Sequence, residues 1–99
     1  MIINIISKRY NPLLKRTEVR FYIDHDGATP KFMEVRDKLA AMLNADKNLL
    51  VVEKIVEETG MQRARGYAKL YDSEDMLRFI EREHILRKNG LIEEKEGEE

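Results

Sequence analysis

Cysteine is absent from the 99 residues. That removes disulfides, thiolate metal sites and thiol nucleophiles in one step, and it is compatible with a reducing compartment. Long apolar runs are also missing. Ile2 to Ile6 is apolar but too short for a signal peptide and has no basic region before it, and no stretch approaches the roughly 20 residues needed to span a bilayer. Two histidines leave little for acid–base or metal chemistry. In Asp24-His25-Asp26 neighbouring side chains of an extended segment point to opposite faces, and His84 reads as a surface or helix-end residue. Ser7 and Ser73 have no evident base, and the five glycines form no phosphate-binding fingerprint. Gly60 to Gly66 lacks the Gly-Lys-Ser/Thr ending and lies between two strand-like segments. No catalytic residue, cofactor or metal is expected.

Charge is abundant and unevenly placed. Charged residues make up 37% of the chain, a level that suits a partner-binding surface or a thermophile. The net charge of −1 hides a polarity. Glu93 to Glu99 holds five Glu and one Lys, which leaves residues 1–92 at +3. Lys8, Arg9, Lys15, Arg16 and Arg20 lie close together against Glu18 alone. Local clusters decide where phosphate is attracted, because charges beyond about 10 Å are screened at moderate salt.

Ninety-nine residues with 42% hydrophobic content fit one domain, placed here at residues 1–92, with 93–99 expected to be a disordered acidic tail. Ile2 to Tyr10 reads as a strand, Asn11-Pro12 as a turn, and Lys15 to Asp24 as a strand with alternating faces. Thr29-Pro30 predicts a helix start, with Thr as N-cap and Pro at the first helical position. Phe32, Val35, Leu39, Met42 and Leu43 follow as its buried stripe, and Asn44 ends it. Leu49 to Glu58 and Gln62 to Tyr71 are two further strands around a turn at Gly60. Asp72-Ser73 caps a second helix, and a helical stretch through Ile85 and Leu86 ends at Asn89-Gly90. The order ββαββα predicts an α+β fold, a two-layer sandwich with a mostly antiparallel four-stranded sheet and helices on one face.

The last strand is the most informative. Period-two alternation puts Arg63, Arg65, Tyr67, Lys69 and Tyr71 on one side, and Ala64, Gly66, Ala68 and Leu70 on the other. Cations pair with phosphate oxygens and tyrosine stacks on unpaired bases, so the stripe suits RNA. A plain solvated face would carry the same alternation. The loop Asn11-Pro12-Leu13-Leu14-Lys15-Arg16 sets two leucines between cations. It is either a tip that inserts into a partner or a loop pinned by its leucines to the core.

The segment Gly60-Met61-Gln62-Arg63-Ala64-Arg65-Gly66-Tyr67-Ala68-Lys69-Leu70-Tyr71-Asp72-Ser73 closely resembles the signature of the small-subunit ribosomal protein S24e family of archaea and eukaryotes. Asn11 to Arg16, His25 to Leu43 and Leu86 to Leu91 are also similar to it, so the resemblance runs from about Ile3 to Leu91. Thr59 departs from an aromatic position, which removes the basis for stacking there. An acidic tail replaces the basic extension of eukaryotic members, as in the shorter archaeal form.

The resemblance implies a non-enzymatic structural constituent of the small subunit of the cytoplasmic ribosome, held by ribosomal RNA and neighbouring ribosomal proteins. No membrane and no small-molecule substrate are implied, and the free chain is expected to be a monomer. The expected RNA contacts are Lys8, Arg9, Lys15, Arg16 and Arg20, then Arg63, Arg65, Lys69 and Tyr67, with Arg87 and Lys88 as a third group. An RRM-like single-strand binder shares Arg65-Gly66-Tyr67-Ala68 but expects aromatics at Lys69 and Asp72. An acylphosphatase-like hydrolase would need an anion loop where Asp24 to Pro30 offers acids. A protein–protein adaptor is the remaining alternative.

Overall fold

In the computed structural model, residues 1–58, 60 and 62–92 are described; Thr59, Met61 and the acidic tail, with the expectations attached to them, lie outside the described residues. Four strands, β1 (Ile2–Asn11), β2 (Arg16–Asp24), β3 (Leu50–Glu57) and β4 (Arg63–Tyr71), form one antiparallel sheet in the order β1-β2-β4-β3. Three helices accompany it: α1 (Phe32–Leu43), α2 (Glu74–Ile80) and α3 (Glu83–Lys88). The sheet and the ββαββα order match the expectation from sequence.

The helices divide between the two faces of that sheet, which corrects the expectation of helices on one face only. On the first face Val35 and Leu39 of α1 pack with Val19, Phe21, Ile23, Leu50, Val52, Ala64 and Ala68. On the second, Leu77 of α2 and Leu86 of α3 cover Val51 and Tyr71. Hydrophobic alternation accounts for this division. Val51 lies between Leu50 and Val52, so an all-apolar start to β3 presents buried side chains both ways. The second cover reaches only one end of the sheet, and the other end of that face stays open.

Local chemistry shifts two boundaries. Thr29 does not cap α1; its hydroxyl donates to the Glu57 carboxylate at 2.7 Å, tying the loop to the end of β3. The helix begins at Phe32, with Val35 N–H donating to the Lys31 carbonyl at 3.1 Å. It stops at Asn44 as expected, in the left-handed conformation (φ 54°). Met42 of the expected stripe is exposed, and Ala40 and Arg36 are buried in its place. Ser73 caps α2 through its side chain, accepting from Met76 N–H. The chain then breaks at Glu81 and Arg82, both extended, before α3 begins.

Gly66 is required by a close approach. It pairs with Phe21 of β2, and the Phe21 ring lies across it. A Cβ at Gly66 would sit 2.3, 2.5 and 2.9 Å from three atoms of that fully buried ring. Gly66→Ala is therefore expected to destabilise the fold by about 1–3 kcal/mol in urea unfolding. Combining it with Phe21→Leu should cost less than the sum of the two single changes, because the shorter side chain vacates the space.

Candidate nucleic-acid interface

The β1–β2 loop is built by one side chain. The Asn11 carboxamide oxygen accepts from the backbone N–H of Leu13 (3.1 Å) and Leu14 (3.2 Å), which folds Pro12 to Lys15 into a compact tip. Lys15 takes the left-handed conformation (φ 53°), and its carbonyl accepts from Asp72 N–H at 3.0 Å. Leu13 is 87% exposed while Leu14 is half-buried, so one leucine projects and one is partly covered. Lys8, Arg9 and Lys15 are exposed around this tip. Tyr10 is exposed as well, and its hydroxyl donates to Asp72 at 2.5 Å, a bond that raises its pKa.

Arg16 belongs to the interior instead. Its side chain is 14% exposed, bonds Glu18 at 3.0 Å, donates to the Tyr71 hydroxyl at 2.8 Å and lies 3.9 Å from Glu81. Lys69 is likewise enclosed. Its ammonium sits 2.8 Å from Glu81 and 3.0 Å from Glu53, with 8% of the side chain exposed. Tyr71 completes the cluster by donating its hydroxyl to Glu81, and burial followed by that bond pushes its pKa up. Residues 63, 65, 67, 69 and 71 do share one face, but α2 and α3 close over its Lys69–Tyr71 end.

On the open end of this face cations and aromatics alternate across strands. Arg20 lies 4.8 Å over the Tyr67 ring and Arg63 lies 4.9 Å over the Tyr22 ring. Arg63 is also held by Asp24 at 2.9 Å, and that carboxylate raises its pKa. Arg65 is 61% exposed and meets Glu58 at 3.0 Å. Arg20, Tyr22, Arg65 and Tyr67, together with Ile6, Lys54 and Val56, border a depression of about 350 Å³. Its charged and aromatic rim can neutralise phosphate and stack on a base.

The third group lies at the β3 edge, across the sheet from β1. Arg87 pairs with Glu83 at 2.7 Å. Lys88 donates to the Glu53 carbonyl at 2.9 Å and lies 5.1 Å over Phe32. His25, in the acid-flanked loop entry, is buried with Nε2 3.1 Å from Glu57. Among the described residues no group of three or more His, Cys, Asp or Glu is arranged to hold a metal.

Sequence alternation does not place Lys54 on this surface, and a β-bulge explains why. The register of β3 against β4 slips between Val52 and Lys54, so that Lys54 stands opposite Tyr67. Strict alternation from Val51 would have placed it on the α1 face. Arg82 and His84 escape the sequence pattern for another reason, since the break after α2 brings them over the sheet. A pattern of continuing helical periodicity carries no mark of that break.

Residues 1–90 match the family model of Ribosomal protein S24e. The chain is 70% identical over its full length to a small ribosomal subunit protein eS24 of Methanocaldococcus jannaschii, covering 98% of that protein. It is 53% identical to the protein of the same description in Methanothermobacter thermautotrophicus, with both chains fully covered. The counterpart in Methanosarcina mazei is 48% identical, with 100% of this chain and 99% of that one aligned. A match to nearly the whole domain and close identity to full-length relatives place this chain in the ribosomal protein S24e family.

Proposed function

We propose that this chain is a structural constituent of the small ribosomal subunit that binds ribosomal RNA through its β1–β2 loop and the open face of its sheet. The observation that carries the reading is the family match over residues 1–90, a family of ribosomal structural proteins and not of enzymes. It puts the chain in translation, at the cytoplasmic ribosome, among RNA and neighbouring ribosomal proteins. The finer assignment rests on geometry. Lys8, Arg9 and Lys15 surround the projecting Leu13, while Arg20, Arg63, Arg65 and Tyr67 frame the open face. Arg87 and Lys88 form a secondary contact at the β3 edge. In this reading Arg16 and Lys69 hold the scaffold, paired with Glu18, Glu53 and Glu81. The protein acts by fixing RNA segments relative to one another on a rigid sheet, as a monomer with no small-molecule substrate.

Sedimentation of native lysate tests the first part: the chain should migrate with small subunits and survive a moderate-salt wash. Recovery only at the top of the gradient would overturn the assignment. The RNA-facing surface has its own test. Lys15→Gln, Arg20→Gln and Arg65→Gln together should leave the fold intact, since all three side chains are exposed. The slope of log affinity against log salt should then flatten by about 0.7–0.9 for each phosphate that is no longer neutralised. A folded triple variant with an unchanged slope would remove these cations from the interface.

A further inference from the structure

A second depression adjoins the first. It also encloses about 350 Å³ and is strongly polar, with Arg16, Glu53, Lys54, Lys69, Glu81, Arg82 and His84 in its lining. Lys54 lines both hollows, so the two are neighbours on either side of that residue. Charge is arranged by depth. Lys69 and Arg16 neutralise the Glu81 and Glu53 carboxylates at the floor, within 2.8–3.9 Å. Lys54 and Arg82 stand exposed at the rim, and neither is held in an ion pair among the described residues. His84 is exposed beside them and supplies a further hydrogen-bonding group. The lining carries two more cationic than acidic side chains, and Lys54 and Arg82 are the cations that face solvent.

We propose that this second depression takes a backbone phosphate of a single-stranded RNA segment whose adjoining base lies on Tyr67 in the first depression, with Lys54 between them. The inference rests on the RNA-binding reading above and specifies its substrate as an unpaired strand. Single-stranded RNA is favoured over a duplex because the stacking surface and the phosphate seat lie side by side on one face. Lys54 is the cross-strand partner of Tyr67, and Lys69 follows Tyr67 by two residues on the same face, about 7 Å along the strand. One nucleotide unit spans such a separation. A duplex keeps its bases stacked inside and offers Tyr67 nothing to stack upon. Lys54 on β3 and Arg82 at the start of α3 line the seat from two elements, and both can make charge-assisted hydrogen bonds to a phosphate there.

The test uses the full chain, isotopically labelled, titrated with a single-stranded RNA hexamer, a hairpin duplex of the same length per strand, and inorganic phosphate. The hexamer should shift the amide resonances of Lys54, Arg82 and His84 together with those of Tyr22, Arg65 and Tyr67. Phosphate alone should shift only the first three, and the duplex should leave Tyr67 unmoved. Lys54→Gln with Arg82→Gln should weaken hexamer binding at least about tenfold and flatten its salt slope by about 0.7. Hexamer shifts confined to the β1–β2 loop, or a double variant that binds like the parent, would overturn the phosphate seat while leaving the ribosomal assignment standing. A duplex that perturbs the same residues as the hexamer would overturn the single-strand claim. If the parent protein fails to bind any RNA yet sediments with small subunits, the seat is overturned and subunit membership is retained; failure in both experiments overturns both.

Discussion

Lys69→Met is expected to cost about 3–5 kcal/mol of folding stability, because it removes the cation that compensates a buried carboxylate. Glu81 has 4% of its side chain exposed, and the Lys69 ammonium is its nearest cation at 2.8 Å. Arg16, at 3.9 Å, is shared with Glu18 at 3.0 Å and cannot replace that ion pair. For a domain whose whole stability is on the order of 5–15 kcal/mol, the variant stands near the unfolding threshold. Urea or thermal unfolding would measure the loss. A cost below about 1 kcal/mol would show that the cluster is far better hydrated than its enclosure indicates.

The partner variant separates charge from packing. Lys69→Met with Glu81→Gln keeps an acceptor for the Tyr71 hydroxyl and removes the unpaired charge, so it should be more stable than Lys69→Met alone. Acid should weaken the same region in the parent. The hydrogen bond from Lys69, followed by opposing desolvation, holds Glu53 below its ordinary pKa. Glu18 is also net lowered: burial pushes it up, but bonds from Arg16 and Asn11 outweigh that. Groups with depressed folded-state pKa values stabilise the protein above the usual carboxylate range of about 4 and lose that contribution as pH falls through their folded values. Stability should therefore decline on acidification below about pH 5.

The alternation of β2 and β4 was legible in the sequence because period-two patterning and register are the same information. Ile23, Phe21 and Val19 could face only the core, and their neighbours followed. The composition of the open face was visible for the same reason. What alternation could not show was which part of that face a helix would cover. Lys69 and Arg65 are equivalent in pattern, yet one is enclosed and the other exposed, because α2 and α3 pack on Val51 and Tyr71 at one end only. Two bulges lay equally beyond reach. Each inserts a residue without altering composition, and each reassigns the faces of everything downstream on its strand, Lys54 included. Local signals also had competing uses. Thr29 has the chemistry of a cap, but Glu57, distant in sequence, offers its hydroxyl a charged acceptor.

Asn89 shows that competition most clearly, and replacing it is expected to be as damaging as losing Lys69. In sequence Asn89-Gly90 reads as a helix stop. In the fold Gly90 takes the left-handed position (φ 72°), while Asn89, 1% exposed, turns its carboxamide onto the outer edge of β3. Its oxygen accepts from Val52 N–H at 2.9 Å and from Arg36 Nε at 3.1 Å. Its nitrogen donates to the Val52 carbonyl at 3.1 Å and to the Ile85 carbonyl at 2.9 Å. One side chain thus pairs an edge strand as a neighbouring strand would, and joins α1 on one face to α3 on the other.

Asn89→Leu preserves approximate volume and removes all four bonds. The Val52 N–H and carbonyl and the Arg36 Nε are then left buried, at about 1–3 kcal/mol for each group that finds no partner. A total loss of about 3–5 kcal/mol is expected, and amide exchange should show where it arises. Protection at Val52 should collapse by more than the global loss of stability explains, while Val19 in the central strand β2 follows the global value. Asn89→Asp discriminates further, since it keeps the acceptor for Val52 N–H and Arg36 and forfeits the two donated bonds. It should fall between the parent and Asn89→Leu. Unchanged protection at Val52 in the leucine variant would mean that another group pairs the β3 edge.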